Sequence, residues 1–148
     1  MTAWRKKWSS KMDKALNYLA LARKGGMAEL GEEPVGGAAR AGKAYAILVA
    51  SDASDHTWRR AKAYAAGTEQ QCVRLPFPKE ELGMAVGRTS LAIAALTDAA
   101  MALALLKSLP NPEAYMASIE VLDAKSKKLK KRQDEAKAHQ RNVKKGKK

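Results

Sequence analysis

The stretch LGMAVGRTSLAIAALTD, Leu82 to Asp98, decides how this chain folds. Two glycines are followed by Arg88-Thr89-Ser90 and then by an apolar run. A nucleoside-triphosphate loop needs four residues between its glycines, then Gly-Lys-Ser/Thr, with a strand before and a helix after. Here three residues separate Gly83 from Gly87, Arg88 stands in the place of the lysine, and the order of elements is inverted. PKEELGMAVG, 78–87, has proline and acids at its start, which suits a short helix closed by Gly87. SLAIAAL, 90–96, then reads as a buried strand. Thr97 or Asp98 caps the next helix, DAAMALALLKSL, which Pro110 ends.

Working outward, the same alternation recurs. KALNYLALARK, 14–24, carries Leu16, Leu19 and Ala20 at helical spacing and stops at Gly25-Gly26. MAEL, 27–30, predicts a short fourth strand. Residues 32–41 predict a helix opened by Glu32, Glu33 and Pro34. Gly36 and Gly37 inside it cost about 1 kcal/mol each against alanine, so they need a reason, and close approach of a partner or a neighbouring backbone is one. AYAILVA, 44–50, is a buried strand, and a helix follows from about Asp55 to Ala66, closed by Gly67. CVRLPF is a strand that Pro76 places at a sheet edge. Helices alternating with short strands predict an α/β fold, a three-layer α/β/α sandwich on a small four-stranded mixed sheet.

The charge is unevenly spread. The chain has 148 residues and a net charge of +13. The tail from 123 to 148 carries 12 Lys/Arg against 3 Asp/Glu, and the arm from 1 to 11 carries 4 bases and no acid. Between them, bases and acids balance. A nearly neutral domain over 12–109 is thus flanked by a basic arm and a basic extension, 110–148. Met116, Ile119 and Leu122 can lay a turn or two of the extension on the domain. The rest has too few aliphatics to fold alone, which leaves a solvated basic helix or a segment ordered by its partner. Basic ends of this kind seek phosphate polyanions, and such binding is salt-sensitive.

Catalysis finds little to work with. His56 is the one histidine inside the domain and stands beside Asp52 and Asp55 in helix-start company. Cys72 is the one thiol, opens an apolar strand, and reads as a small core residue. His56 and His139 lack metal-ligand spacing, so no metal, cofactor, small-molecule substrate or enzyme activity is expected. A single cysteine, no signal-peptide pattern and no long apolar run point to the cytoplasm and away from membranes. Trp4 and Trp8, four residues apart among bases, would share a helix face, to stack on bases or to pack on the domain.

Five segments in order, ALARKGG, GEEPV, ILVASDAS, LGMAVGR and the strand ending Leu96-Thr97-Asp98, resemble the kink-turn RNA-binding ribosomal protein superfamily. The bacterial YlxQ-like, ribosome-associated branch is the most similar. The resemblance covers about 12–109. It implies a non-catalytic protein that recognises structured RNA, with ribosomal RNA and the ribosome as partners. It places the RNA surface at the start of the second helix and at the loop before the last strand. The residues implied are Gly31, Glu32, Glu33, Gly36 and Gly37 on one side and Leu82, Gly83, Met84, Val86, Gly87 and Arg88 on the other. Lys24, Arg40 and Lys43 are available for phosphate. Archaeal members begin that helix with Asn and Glu, followed three residues later by Lys, where this chain has Glu33, Pro34 and Gly37. The lysine is gone, and the base-reading Glu is either supplied by Glu32 or Glu33 or lost. Two other functions fit the same residues: a polyanion binder working through its basic tails, and a protein-interaction module.

Overall fold

The computed structural model describes the backbone of residues 3–145 and the side chains of residues 14–139. The elements run α1 (Ala3–Lys24), β1 (Ala28–Leu30), α2 (Glu32–Arg40), β2 (Ala46–Val49), α3 (Asp55–Ala65), β3 (Gln71–Arg74), α4 (Lys79–Ala85), β4 (Ile93–Leu96), α5 (Ala99–Lys107) and α6 (Met116–Lys145). A 3-10 turn, Pro112–Tyr115, precedes α6. The strand order is β1-β4-β2-β3. β4 runs antiparallel to both neighbours, while β2 and β3 are parallel across the α3 crossover, so the sheet is mixed.

The central strands β2 and β4 are buried at every position. This is why they read as unbroken apolar runs, without the alternation of a half-exposed strand. Their side chains nonetheless divide by parity. Ile47, Val49, Ile93 and Ala95 face Val35 and Ala39 of α2 and Ala61 of α3. Ala46, Leu48, Ala94 and Leu96 face a larger cluster that includes Leu19, Leu82, Leu105, Leu106 and Leu122. Two helices cover one face of the sheet, and α1, α4, α5 and α6 cover the other. Each large aliphatic so enclosed contributes about 1.5–3 kcal/mol. A one-residue slip of β4 would exchange the two faces, and the parity split prevents it.

The helix ends follow from local chemistry. Ser54 caps α3, its Oγ accepting from the Thr57 N–H at 3.2 Å. Of the two caps the sequence allows for α5, Asp98 is the one used, with Oδ2 accepting from the Met101 N–H at 2.9 Å. His56 lies exposed in the first turn of α3. β3 is an edge strand, as Pro76 implies, and Tyr115 Oη donates to its Arg74 carbonyl at 2.9 Å. The extension is helical, and its first turns belong to the domain, for Ile119 is 6% exposed and Leu122 is fully buried. Met116, expected beside them, is 47% exposed. The side chains of Trp4 and Trp8 lie outside the described residues.

Candidate nucleic-acid interface

The register of the sheet decides which predicted site residues meet. The Gly31 N–H donates to the Ile93 carbonyl at 3.0 Å, and the Ala50 N–H donates to the Ala92 carbonyl at 2.9 Å. The start of α2, the loop after β2 and the approach to β4 therefore lie at one end of the sheet. Arg88 reaches this end from the α4–β4 turn. A Cβ on Gly31 would stand 3.7 Å from Arg88 Nη1. The two halves implied by the resemblance are thus in contact distance, although 57 positions apart in sequence.

Gly31 opens α2 with φ 94° and ψ 164°, a conformation essentially confined to glycine. Among the described residues, no side chain caps this helix. The Glu32 and Glu33 N–H groups thus have no acceptor among the described residues and stand near the exposed Arg88 guanidinium, a pairing that suits an anion. The acids at this start are not equivalent. Glu32 is tied to α3, its Oε1 accepting from Thr57 Oγ1 at 3.2 Å and its Oε2 from Arg60 Nη1 at 3.3 Å. Glu33 is exposed, and its carboxylate has no hydrogen bond among the described residues. Of the two, Glu33 is the one free to accept from a ligand.

The glycines also separate. Gly36 is buried, and a Cβ there would meet Tyr64 Oη at 2.9 Å and Arg40 Nη1 at 3.3 Å. Its small size serves the packing of α3 on α2, and it brings the Arg40 guanidinium back along the helix. Gly37 is exposed, with nothing within 4 Å of the added atom. Packing among the described residues does not account for Gly37. Gly83 is buried, and a Cβ there would lie 2.7 Å from the N and Cα of Ser90. The expectation that Gly83 admits a partner is corrected: its neighbour is this chain's own turn. Gly87 has φ 74°, and the Arg88 N–H bonds back to the Gly83 carbonyl at 2.8 Å, so the turn is held firmly.

Four further expected site residues, Leu82, Val86, Lys24 and Lys43, are placed elsewhere. Leu82 and Val86 are each 1% exposed and pack in the core, so their side chains carry the turn and do not reach its surface. Met84 is 78% exposed and is the apolar surface of this loop. Lys24 and Lys43 are exposed but lie at the other end of the sheet. Lys24 ends α1 just before Met27, whose carbonyl accepts from the Thr97 N–H at 2.8 Å. Lys43 sits beside Tyr45, whose N–H donates to the Leu96 carbonyl at 2.8 Å. Sequence reasoning missed Thr57, Arg60 and Tyr64, which hold Glu32 and cover Gly36. Their helical spacing is visible, but nothing local says which element they touch.

Burial pushes the Cys72 thiol up to about 11, so it stays protonated and unreactive at neutral pH. Among the described residues, no group of three His, Cys, Asp or Glu side chains is placed to hold a metal. No described helix is long and apolar enough to cross a membrane.

No protein-family profile matches this chain, and no curated protein matches it either. Solved structures do. One is a protein of unknown function from Bacillus halodurans, 27% identical, with a TM-score of 0.59, matching 64% of this chain and 95% of that one. Another is the 15.5 kD RNA-binding protein of Giardia lamblia, 17% identical, with a TM-score of 0.56, matching 70% of this chain and 88% of that one. The α/β/α fold is therefore shared with a known RNA-binding protein. The shared unit is nearly the whole of the Bacillus chain, and about a third of this chain lies beyond it.

Proposed function

We propose that the chain is a non-catalytic RNA-binding protein that recognises a bent, kink-turn-like internal loop through the end of the sheet where α2 begins. The observation that carries this reading is the meeting of Arg88 with Gly31 beside the uncapped start of α2. The fold shared with the Giardia RNA-binding protein supports it. Bent RNA is read through splayed bases and backbone shape rather than through a groove code. The parts present suit that task. Arg88 and the α2 N–H groups take phosphate, and Gly37 lets a strand come close. Glu33 accepts from base edges, and Met84 offers an apolar cover to an unstacked base. Ribosomal RNA and the ribosome in the cytoplasm are the setting that the five-segment resemblance favours. Crosslinking in cells followed by sequencing of the bound RNA tests this. Reads concentrated on a few internal-loop sites support it, and an even spread over all RNA refutes it.

A further inference from the structure

The sheet has a second end, and α6 leads to it. The helix starts at the first end, with Tyr115 bonded to Arg74 at 2.9 Å. It crosses β3 with Ser118 Oγ donating to Gln71 Oε1 at 3.0 Å. It then reaches the far end, where Lys125 Nζ lies 2.7 Å from Glu69 Oε2 and 5.6 Å from the Tyr45 ring centre. This is the end of the sheet where Lys24 and Lys43 stand. From there α6 continues to Lys145, about 30 Å further along its axis. Every described side chain from 130 to 139 is exposed.

This projecting half is dense in positive charge. Six of the eight residues from Lys125 to Arg132 are basic. Glu69 is taken by Lys125 and Asp123 by Lys127 at 3.0 Å, while Asp134 and Glu135, one turn further on, offset only part of the charge and form no ion pair among the described residues. Lys128, Lys130, Lys131 and Arg132 form no ion pair among the described residues. Lys127 and Lys131, and Lys128 and Arg132, are like charges four residues apart, which works against a helix standing alone. Beyond Leu129 no described side chain of α6 is buried or half-buried to offset that. Phosphates on both sides of the helix would relieve the repulsion, and each neutralised phosphate also releases counterions.

We propose that the outer half of α6, with Lys24 and Lys43, is a second RNA contact that grips the phosphate backbone of a plain duplex. One molecule then holds two RNA segments at opposite ends of its sheet. The bridging, though not the second contact itself, rests on the function proposed above.

A two-RNA capture experiment on the full chain tests this. An RNA with an internal loop of sheared G·A pairs is tethered to a surface, protein is bound, and a labelled plain RNA duplex is added. The comparison is with a variant carrying K127Q, K128Q, K130Q, K131Q and R132Q, which keeps good helix formers and touches no core residue. The variant is expected to stay on the tethered RNA. It should bind the plain duplex at least ~10-fold more weakly, with a salt slope shallower by about 4. R88E should do the reverse, losing the tethered loop and keeping the duplex. Unchanged duplex affinity and salt slope in the five-fold variant would overturn the second contact. So would a wild-type protein that captures no duplex, the result expected if the surface takes an acidic protein instead. Duplex binding through α6 without preference for the loop RNA would leave the second contact standing and remove the function proposed for the first.

Discussion

Arg88 and Gly31 face each other across the end of the sheet, with 3.7 Å between the guanidinium Nη1 and the point where a Cβ on Gly31 would stand. Nothing local joins them. Gly31 is carried by β1 and Arg88 by the turn into β4, and the pairing of Leu30 with Ala94 brings the two together. Gly31→Ala should therefore act in two ways. The strained φ of 94° costs about 1–3 kcal/mol of stability, read by urea denaturation. The added methyl also stands at the candidate RNA surface, in van der Waals contact with Arg88 Nη1, so affinity for a bent RNA should fall even where the protein is fully folded.

Gly37 and Gly83 make a sharper pair. Gly37→Ala adds a methyl into open space on a helix, so stability should rise by about 0.5–1 kcal/mol while loop-RNA affinity falls. Gly83→Ala drives a Cβ to 2.7 Å from backbone atoms of Ser90, so it should destabilise by more than about 2 kcal/mol. Parallel denaturation and binding curves separate the two. Unchanged RNA affinity in Gly37→Ala would remove Gly37 from the interface.

The two acids at the start of α2 should behave differently under charge removal. Glu32→Gln loosens an exposed contact to Arg60 and a hydrogen bond to Thr57, at a cost of about 0.5–1 kcal/mol. Glu33→Gln touches no described partner and should leave the unfolding midpoint where it is. If Glu33 accepts from base edges, its loss alters discrimination between G·A and other internal-loop pairs. A panel of loop sequences measures this, and an unaltered ranking would exclude the role.

Much of the fold was legible in the sequence, for a physical reason. The central strands are buried on both faces, so they announce themselves as short apolar runs, and glycines at left-handed positions punctuate the rest. The edge position of β3 was readable from Pro76. The interface was legible only in part. Gly36, Gly37 and Gly83 look alike in sequence, yet one is filled by Tyr64, one by the Ser90 backbone, and one by nothing. Leu82, Met84 and Val86 share a segment, and the phase of a seven-residue helix decides which is exposed. The tie from Glu32 to Thr57 and Arg60 spans 25 and 28 positions, which no local pattern signals.

The boundary of the domain is a separate matter, and Leu122 tests it. Its side chain is fully buried in the cluster that holds Leu105 and Leu106. Leu122→Ala should cost about 2–5 kcal/mol, the range for emptying a tightly packed leucine site. A loss below about 1 kcal/mol would mean that α6 is an accessory to a domain already complete at residue 109.

The central claim is that shape-selective RNA binding runs through Arg88 at the start of α2. The most direct measurement is the affinity of wild type and Arg88→Glu for an internal-loop RNA and for a straight duplex of equal length, at one moderate salt concentration. Arg88 is exposed, so the substitution should shift stability by no more than about 0.5 kcal/mol. The account predicts that wild type prefers the loop RNA and that Arg88→Glu loses at least ~10-fold on it, about 1.4 kcal/mol, with little change on the duplex. Equal losses on both RNAs, or no preference in the wild type, would contradict it.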